Sequence, residues 1–228
     1  MMGAVFKRQI KADKLERNPI VKIDLPKFDD KRDRILTDEE FKRLLNAGWV
    51  VKNNGGTYKK SLEPHTRLAL IIADYTGMRI GEILAIKWTD INLEAGKIFI
   101  RESKNGEKRE VPVHDELKKI LEANKVSDSG YIVNEGGKSL ESIRRGFRMA
   151  REKAGLGDFR IHDLRHRAIT RWIQLGFSPT VIMKASGHKT YSAFTRYSNL
   201  KGGDVMVLVG KKTEQLPLIT YQDLQDIA

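Results

Sequence analysis

The chain has 228 residues, 40% of them hydrophobic and 32% charged, which predicts one globular domain with a short appendage and excludes a disordered protein. Its net charge of +12, of which residues 36–200 carry +9, favours a polyanionic partner, although such a charge can also serve only to keep a protein in solution. The absence of cysteine excludes disulfides and thiolate metal sites, and no bilayer-spanning run, membrane anchor or signal peptide is present, so we expect a cytoplasmic protein that binds nucleic acid rather than a membrane.

The first 34 residues are predicted to form the end of a helix and a linker. Apolar residues spaced among lysines and arginines in residues 1–18 are typical of a helix. The pair Asn18-Pro19 would close this helix, because the residue before a proline disfavours helical geometry. Proline and dense mixed charge from Ile20 to Arg34 then indicate an extended linker.

A compact domain is expected over residues 35–200. The run Thr37-Asp-Glu-Glu40 has the spacing of a capping box and predicts a helix over about 38–48. Pro64 can open the next helix and Gly77 can end it, because proline fits the first helical turn and glycine tolerates the left-handed cap.

After a short helix from about Ile80, two strands are predicted around a tight turn. The stretches 97–101 and 109–113 flank an Asn-Gly pair, which is the strongest short hairpin signal because both residues tolerate positive φ. Lys104 would therefore lie at or beside the tip of a β-hairpin. The sequence predicts a mainly α fold with a small antiparallel β-sheet, whose later helices run over Asp115 to Asn124, Ser139 to Ala154, His162 to Leu175, Pro179 to Ala185 and Thr190 to Tyr197.

The tail, residues 201–228, is set apart beyond the last of these helices. It holds an apolar, strand-like Val205–Val209, a second apolar stretch at Leu216–Ile219 and a weak helix from Tyr221. Because the tail carries little of the positive charge that DNA contact needs, we expect it to dock on a neighbouring protomer, as an element exchanged around a ring. The alternative is that it folds back onto its own domain.

Several side chains are suited to chemistry on a phosphodiester. His162 and Arg165 are three residues apart and share a helix face, although a capping histidine and a surface arginine are the simpler explanation of this pair taken alone. Arg79 begins a helix, where backbone N–H groups favour an anion and a guanidinium can hold two phosphate oxygens; taken singly, a solvated arginine is the simpler alternative. Glu82 either orients Arg79 or caps the helix.

Three hydroxyl groups near the end of the domain are candidate nucleophiles, on Tyr191, Ser192 and Tyr197. A free tyrosine has a pKa of about 10 and needs cationic neighbours or a base before it can attack phosphorus. The resulting phosphotyrosyl bond would conserve the energy of the broken phosphodiester. His166 adds a His-x-x-x-His pattern, but no adjacent glutamate or further ligand cluster supports a metal site there.

The ordered set of these motifs resembles the tyrosine recombinases, the phage-integrase family. The matching elements span approximately residues 35–200 and are Thr-Gly-Met-Arg79-Ile-Gly-Glu82, the hairpin Lys104 before Arg-Glu-Val-Pro-Val, His162-Asp-Leu-Arg165-His166, Gly187-His188, and Tyr197 nine residues after that histidine. Complete members carry an N-terminal helical core-binding domain, of which this chain holds only what resembles the last helix and the linker.

The resemblance implies that Tyr197 attacks the scissile phosphate and forms a 3′-phosphotyrosyl protein with a free 5′-hydroxyl. Arg79 and Arg165 would clamp the non-bridging oxygens. The family's spacing from the histidine selects Tyr197 over Tyr191. No metal or other cofactor is implied, because the guanidiniums supply the positive charge.

The resemblance further implies that His162 acts as general base toward the tyrosine and that His188 donates to a phosphate oxygen. Lys104 would protonate the departing 5′ oxygen, although Lys108 and Lys97 are close enough in sequence to take this role. The expected partners are double-stranded DNA and further copies of the chain, as a monomer alone and a tetramer on DNA. A type IB topoisomerase and a catalytically silent DNA-binding module are the competing functions.

Overall fold

The computed structural model describes residues 2–19, 34–53, 56–101, 108–195, 197 and 218–225, and the chain divides into two compact units, Met1–Asp33 and Arg34–Ala228. The first unit contains helix α1, Met2–Lys11. This helix is shorter than the sequence predicted, because Asp13 adopts a left-handed φ of 51° and the Lys14 N–H bonds back to the Gln9 carbonyl, a geometry that ends helices. The predicted linker over 20–33 lies outside the described residues.

The second unit is mainly helical with a small antiparallel sheet, as predicted. Its described helices are α2 (Asp38–Leu45), α3 (Pro64–Thr76), α4 (Ile80–Ala85), α5 (Asp115–Ala123), α6 (Arg144–Lys153), α7 (Ile161–Gln174), α8 (Pro179–Ser186), α9 (Tyr191–Thr195) and α10 (Tyr221–Gln225). The strands pair as β1 (Gly48–Asn53) with β2 (Gly56–Ser61), as β3 (Ile91–Asn92), β4 (Lys97–Ile100) and β5 (Arg109–Pro112) in one three-stranded sheet, and as β6 (Asn134–Glu135) with β7 (Lys138–Ser139). No helix in the described ranges is long and apolar enough to cross a bilayer.

The capping box at the start of α2 is confirmed, but the helix ends earlier than predicted. The Glu40 N–H donates to Thr37 Oγ1 at 3.2 Å, and the Thr37 N–H donates to the Glu40 carboxylate at 3.1 Å. The helix stops at Leu45 because the chain from Gly48 pairs as the hairpin β1–β2, which the sequence interpretation missed. Helix α6 likewise begins later than predicted, because residues 138–139 pair with residues 134–135.

Helices α3 and α7 pack against each other and carry the candidate site. Gly77 ends α3 with a left-handed φ of 59°. A side-chain Cβ at Gly77 would lie 3.4 Å from the Ala168 Cβ and the Trp172 ring, an ordinary contact distance, so the left-handed φ rather than lack of space favours glycine here. A second, small hydrophobic cluster joins α7 to α8 and α9. It consists of Ile169, Ile182, Phe194 and Tyr197.

Buried ion pairs also join α3 to α7. Asp74 is fully buried and lies 2.7 Å from Arg167 Nη1 and 2.9 Å from Arg171 Nη2. Arg167 also donates to the Leu36 carbonyl at 3.0 Å and pairs with Asp38 at the start of α2. Removing one partner of such a pair costs about 3–5 kcal/mol, because the remaining charge stays buried. The network therefore fixes the relative positions of the two helices.

The described part of the tail packs on its own domain in this single chain. Ile219 is 1% exposed, and its carbonyl accepts a hydrogen bond from the Tyr75 hydroxyl. Asp223 Oδ1 lies 2.6 Å from Lys42 Nζ, and the Tyr221 N–H donates to Glu116 at 3.0 Å. The predicted helix from Tyr221 is present as α10. The predicted strand at 205–209 lies outside the described residues.

Candidate active site

Arg79 is held at the first turn of α4 by Glu82. Its backbone N–H donates to Glu82 Oε2 at 3.0 Å, and its Nη1 donates to Glu82 Oε1 at 3.2 Å. Both roles that the sequence left open for Glu82, helix capping and orientation of Arg79, are therefore present. The Arg79 side chain remains 31% exposed, so its other donors are accessible from solvent.

Arg165 lies at the centre of the site and is 2% exposed. Its Nη1 donates to the Gly77 carbonyl at 2.8 Å, and its Nη2 lies 3.1 Å from Nε2 of His188. Burial lowers the pKa of the Arg165 guanidinium, whereas the nearby Tyr197 side chain raises this pKa. Three separate sequence motifs thus meet at one guanidinium.

His188 is oriented by hydrogen bonds at both ring nitrogens. Ser186 donates its hydroxyl proton to the Ile182 carbonyl at 2.6 Å, so it accepts from His188 Nδ1 at 2.8 Å. Arg165 has no acceptor, and its Nη2 lies almost equally close to both ring nitrogens of His188, 3.1 Å from Nε2 and 3.2 Å from Nδ1. Ser186 and Arg165 together hold the imidazole in place.

Tyr197 is the tyrosine that the structure brings into this site. It is 7% exposed, and its ring centroid lies 4.2 Å from that of His166 and 5.1 Å from that of His188. Tyr191 is 58% exposed and contacts the Phe194 ring at 6.1 Å. Ser192, the third candidate, is exposed. Tyr197 thus belongs to the second hydrophobic cluster and at the same time contacts two imidazoles, of which His188 bonds to Arg165.

Two imidazoles follow each other along α7 toward Tyr197. His162 is exposed in the first turn, and its ring lies 6.3 Å from the His166 ring, edge to face. The contact of His166 with Tyr197 was not predicted from the sequence. The spacing of four residues between His162 and His166, one helical turn, does place these two rings on one face of α7. Among the described residues, no group of three or more His, Cys, Asp or Glu side chains could hold a metal ion.

Arg109 is a further residue of the site that the sequence analysis used only as a landmark for the hairpin. It is the first residue of β5, and its guanidinium pairs with both oxygens of Glu82. Lys104 lies outside the described residues. Lys108 is exposed just before β5, and Lys97 pairs with Glu110 at 2.7 Å.

Comparison with protein families assigns the chain to a family. The sequence profile of the phage integrase family matches residues 34–202, which are most of the chain. The chain belongs to the phage integrase family. This confirms the resemblance, and the matched residues include every motif described above.

Curated relatives of this integrase-family protein are named recombinases. The shufflon-specific DNA recombinase of Escherichia coli is 29% identical over 199 residues, which are 87% of this chain and 48% of that protein. The tyrosine recombinase XerA of Saccharolobus solfataricus is 27% identical, and the match covers 80% of this chain and 58% of that protein. The chain thus spans about half of the length of the curated relatives it matches.

Solved structures of integrases share the fold. A lambda integrase dimer bound to a COC′ core site superimposes with a TM-score of 0.66 at 25% identity, over 88% of this chain and 57% of that chain. A lambda integrase tetramer bound to a Holliday junction has a TM-score of 0.60 at 25% identity, over 82% and 56% of the respective chains. The integrase-family fold is therefore established for this protein.

Proposed function

We propose that this integrase-family protein is a site-specific DNA recombinase, which cleaves and rejoins DNA through a 3′-phosphotyrosyl intermediate. The observation that carries the proposal is the convergence at Arg165, which bonds to the Gly77 carbonyl and to His188, whose ring lies 5.1 Å from that of Tyr197. The net charge of +12 favours DNA as the partner, and lambda integrase, with the same fold, is solved on DNA. The substrate is then double-stranded DNA in the bacterial or phage-infected cell, on the nucleoid.

In the proposed reaction the phenol oxygen of Tyr197 forms a bond to phosphorus while the bond from phosphorus to the 5′ oxygen breaks. Arg79 and Arg165 bind the non-bridging oxygens and stabilise the charge that develops on them. Protein contacts hold both guanidiniums in place before substrate binds. Lys104 gives its proton to the leaving 5′ oxygen.

The histidines act on the proton of Tyr197 and on one phosphate oxygen. His162 accepts the phenolic proton. The ring of His166 contacts the rings of both His162 and Tyr197. His188 donates a ring N–H to a phosphate oxygen. In the reverse reaction a 5′-hydroxyl attacks the phosphotyrosyl bond, and the same groups return their protons.

Recovery of a covalent adduct tests this function. Purified protein is incubated with DNA fragments from either side of the native gene, denatured, and the DNA that remains attached is sequenced to map the cleavage position. A recombinase also exchanges strands between two duplexes that carry the mapped site. Adducts with relaxation of supercoils but no exchange would indicate a type IB topoisomerase, and no adduct would indicate a silent DNA-binding module.

Replacing Arg165 by lysine is expected to slow single-turnover cleavage by about 10²-fold or more, while the protein stays folded. Lysine keeps the charge but cannot contact the Gly77 carbonyl, His188 and a phosphate in one plane. The comparison is the rate of adduct formation at saturating protein, with Arg148→Lys on the exposed face of α6 as control. A rate within about threefold of wild type would rule out the clamp at this position.

The proposed assembly on DNA is a tetramer in which tails pass between protomers. About 20 residues separate Tyr197 from α10, a length that can span up to roughly 70 Å when extended. Next to the tail lies an apolar groove of about 540 Å³, lined by exposed Phe177 and Val181 together with Leu218. We propose that a neighbour's tail uses this groove and the α10 docking site, in place of the chain's own tail.

Mixing two defective chains tests the exchange. A chain that lacks residues 202–228 keeps the nucleophile, whereas Tyr197→Phe keeps the tail, so neither should form an adduct alone. The mixture is expected to recover adduct formation on the truncated chain, because tails are supplied by the neighbour. A truncated chain that melts at a much lower temperature and stays inactive in the mixture would show that the tail belongs to its own core.

A further inference from the structure

Arg109 connects three elements of the candidate site. Its Nη1 lies 3.0 Å from Glu82 Oε1 and its Nη2 lies 2.7 Å from Glu82 Oε2, a two-pronged ion pair between β5 and α4. Its Nε donates to the Ala185 carbonyl at 3.1 Å, in the last turn of α8. The Arg109 side chain is 8% exposed, so these partners account for a buried charge rather than a solvated surface arginine.

The Arg109 guanidinium also lies directly against Gly187. A Cβ at Gly187 would be 3.0–3.1 Å from three atoms of that guanidinium, and Gly187 has a left-handed φ of 74°. Any side chain there would therefore be strained and would push Arg109 away from Glu82. The next residue is His188, so the contact between Arg109 and Gly187 helps to fix the backbone position from which the His188 side chain extends.

Glu82 is shared between two arginines. Burial by itself would raise the pKa of Glu82, but the hydrogen bonds and charge of Arg109, helped by Arg79, lower it below its usual value. The carboxylate is therefore ionised at neutral pH. Arg109 donates two hydrogen bonds to Glu82, at 2.7 and 3.0 Å, whereas the Arg79 side chain donates one at 3.2 Å. Glu82 therefore pairs more strongly with Arg109 than with Arg79.

We propose that Arg109 is a positioning residue, which satisfies Glu82 so that Arg79 is oriented but not neutralised, and which joins Arg79 to His188 as one phosphate-binding surface. The inference rests on the proposed function. Without Arg109, Glu82 would pair fully with Arg79 and compete with the phosphodiester for its guanidinium. The same contact fixes the root of β5, immediately after the segment that contains Lys104.

Kinetics of Arg109→Met at the mapped cleavage position test the proposal. We expect DNA affinity to stay within about threefold of wild type and cleavage to slow by roughly 10²-fold, the effect of misplacing a reacting group by about 1 Å. Arg101→Met is the matched control, because Arg101 is at the root of the opposite strand, pairs with Asp90 and is 68% exposed. An equal loss in Arg101→Met would mean that any change at the hairpin root slows cleavage, and would overturn the proposal.

A substrate whose scissile phosphate carries no charge distinguishes a misplaced phosphate clamp from general damage to the protein. A methylphosphonate at the scissile position lacks one charged oxygen and depends less on guanidiniums, so the Arg109→Met defect should shrink there to about tenfold or less. The double variant Arg109→Met with Glu82→Gln should be no slower than Arg109→Met alone, because Glu82 can then no longer neutralise Arg79. An undiminished defect on the neutral substrate, or a further loss in the double variant, would contradict the proposal.

A crystal structure of Arg109→Met decides the question independently of activity. The expected result is a Glu82 carboxylate turned onto Arg79 and a displaced His188. Unchanged positions of Arg79 and His188 would overturn the proposal. Absence of any adduct with the wild-type chain would instead reject the proposed function, and the structure of the variant would still report on the positioning.

Discussion

Tyr197→Phe is expected to abolish the covalent protein–DNA adduct while DNA affinity stays within about threefold of wild type. Phenylalanine keeps the ring that contacts His166 and His188 and removes only the nucleophilic oxygen, without which no phosphotyrosyl bond can form. The measurement is the fraction of labelled DNA that remains attached to protein after denaturation.

The matched control for this substitution is Tyr191→Phe. Tyr191 carries the same hydroxyl six residues earlier but is 58% exposed and lies on the outer side of Phe194. We expect Tyr191→Phe to form the adduct at the wild-type rate. If the adduct persists in Tyr197→Phe and disappears in Tyr191→Phe, the nucleophile is Tyr191 and the assignment made from the site geometry is wrong.

Lys104→Ala is expected to slow cleavage by roughly 10²–10⁴-fold, the range for loss of a positioned general acid. The departing 5′ oxygen is a poor leaving group unless it receives a proton as the bond to phosphorus breaks. A substrate with sulfur at the 5′ bridging position should restore the rate of Lys104→Ala, because a thiolate leaves without a proton.

Two neighbouring lysines provide the controls for this assignment. Lys97→Ala removes a side chain that pairs with Glu110, and Lys108→Ala removes an exposed side chain just before β5. Neither should respond to the sulfur substitution. If the sulfur substrate fails to rescue Lys104→Ala but rescues one of these variants, that lysine is the general acid.

Helix ends were predictable where a local capping signal sets them. Pro64 and Gly77 bound α3, and the Thr37 capping box starts α2, as their spacing indicated. The hairpin β1–β2 was missed although Asn54-Gly55 offered the same turn signal that was used for the later hairpin. The sequence predicted that α2 continues to about residue 48, where β1 begins. Beyond Leu45, pairing between the strands outweighs helix propensity.

The residues of the site could be predicted from the sequence only where they belong to a recognisable local motif. Arg79, Arg165, His188 and Tyr197 were named from their motifs, and the structure brings them together. Arg109 was not, because its partners Glu82 and Ala185 are 27 and 76 residues away along the chain. No local pattern encodes such a contact. Only packing of β5 between α4 and α8 creates it.

The covered position of Tyr197 has a consequence for the resting protein. Its ring is 7% exposed and packs against His166 and His188, close to the guanidinium of Arg165 that would receive the phosphate. Under the proposed function, bound DNA must first uncover the Tyr197 hydroxyl before this oxygen can attack phosphorus. A brief encounter with DNA would leave the tyrosine covered, and strand breakage would be confined to complexes that last long enough to expose it.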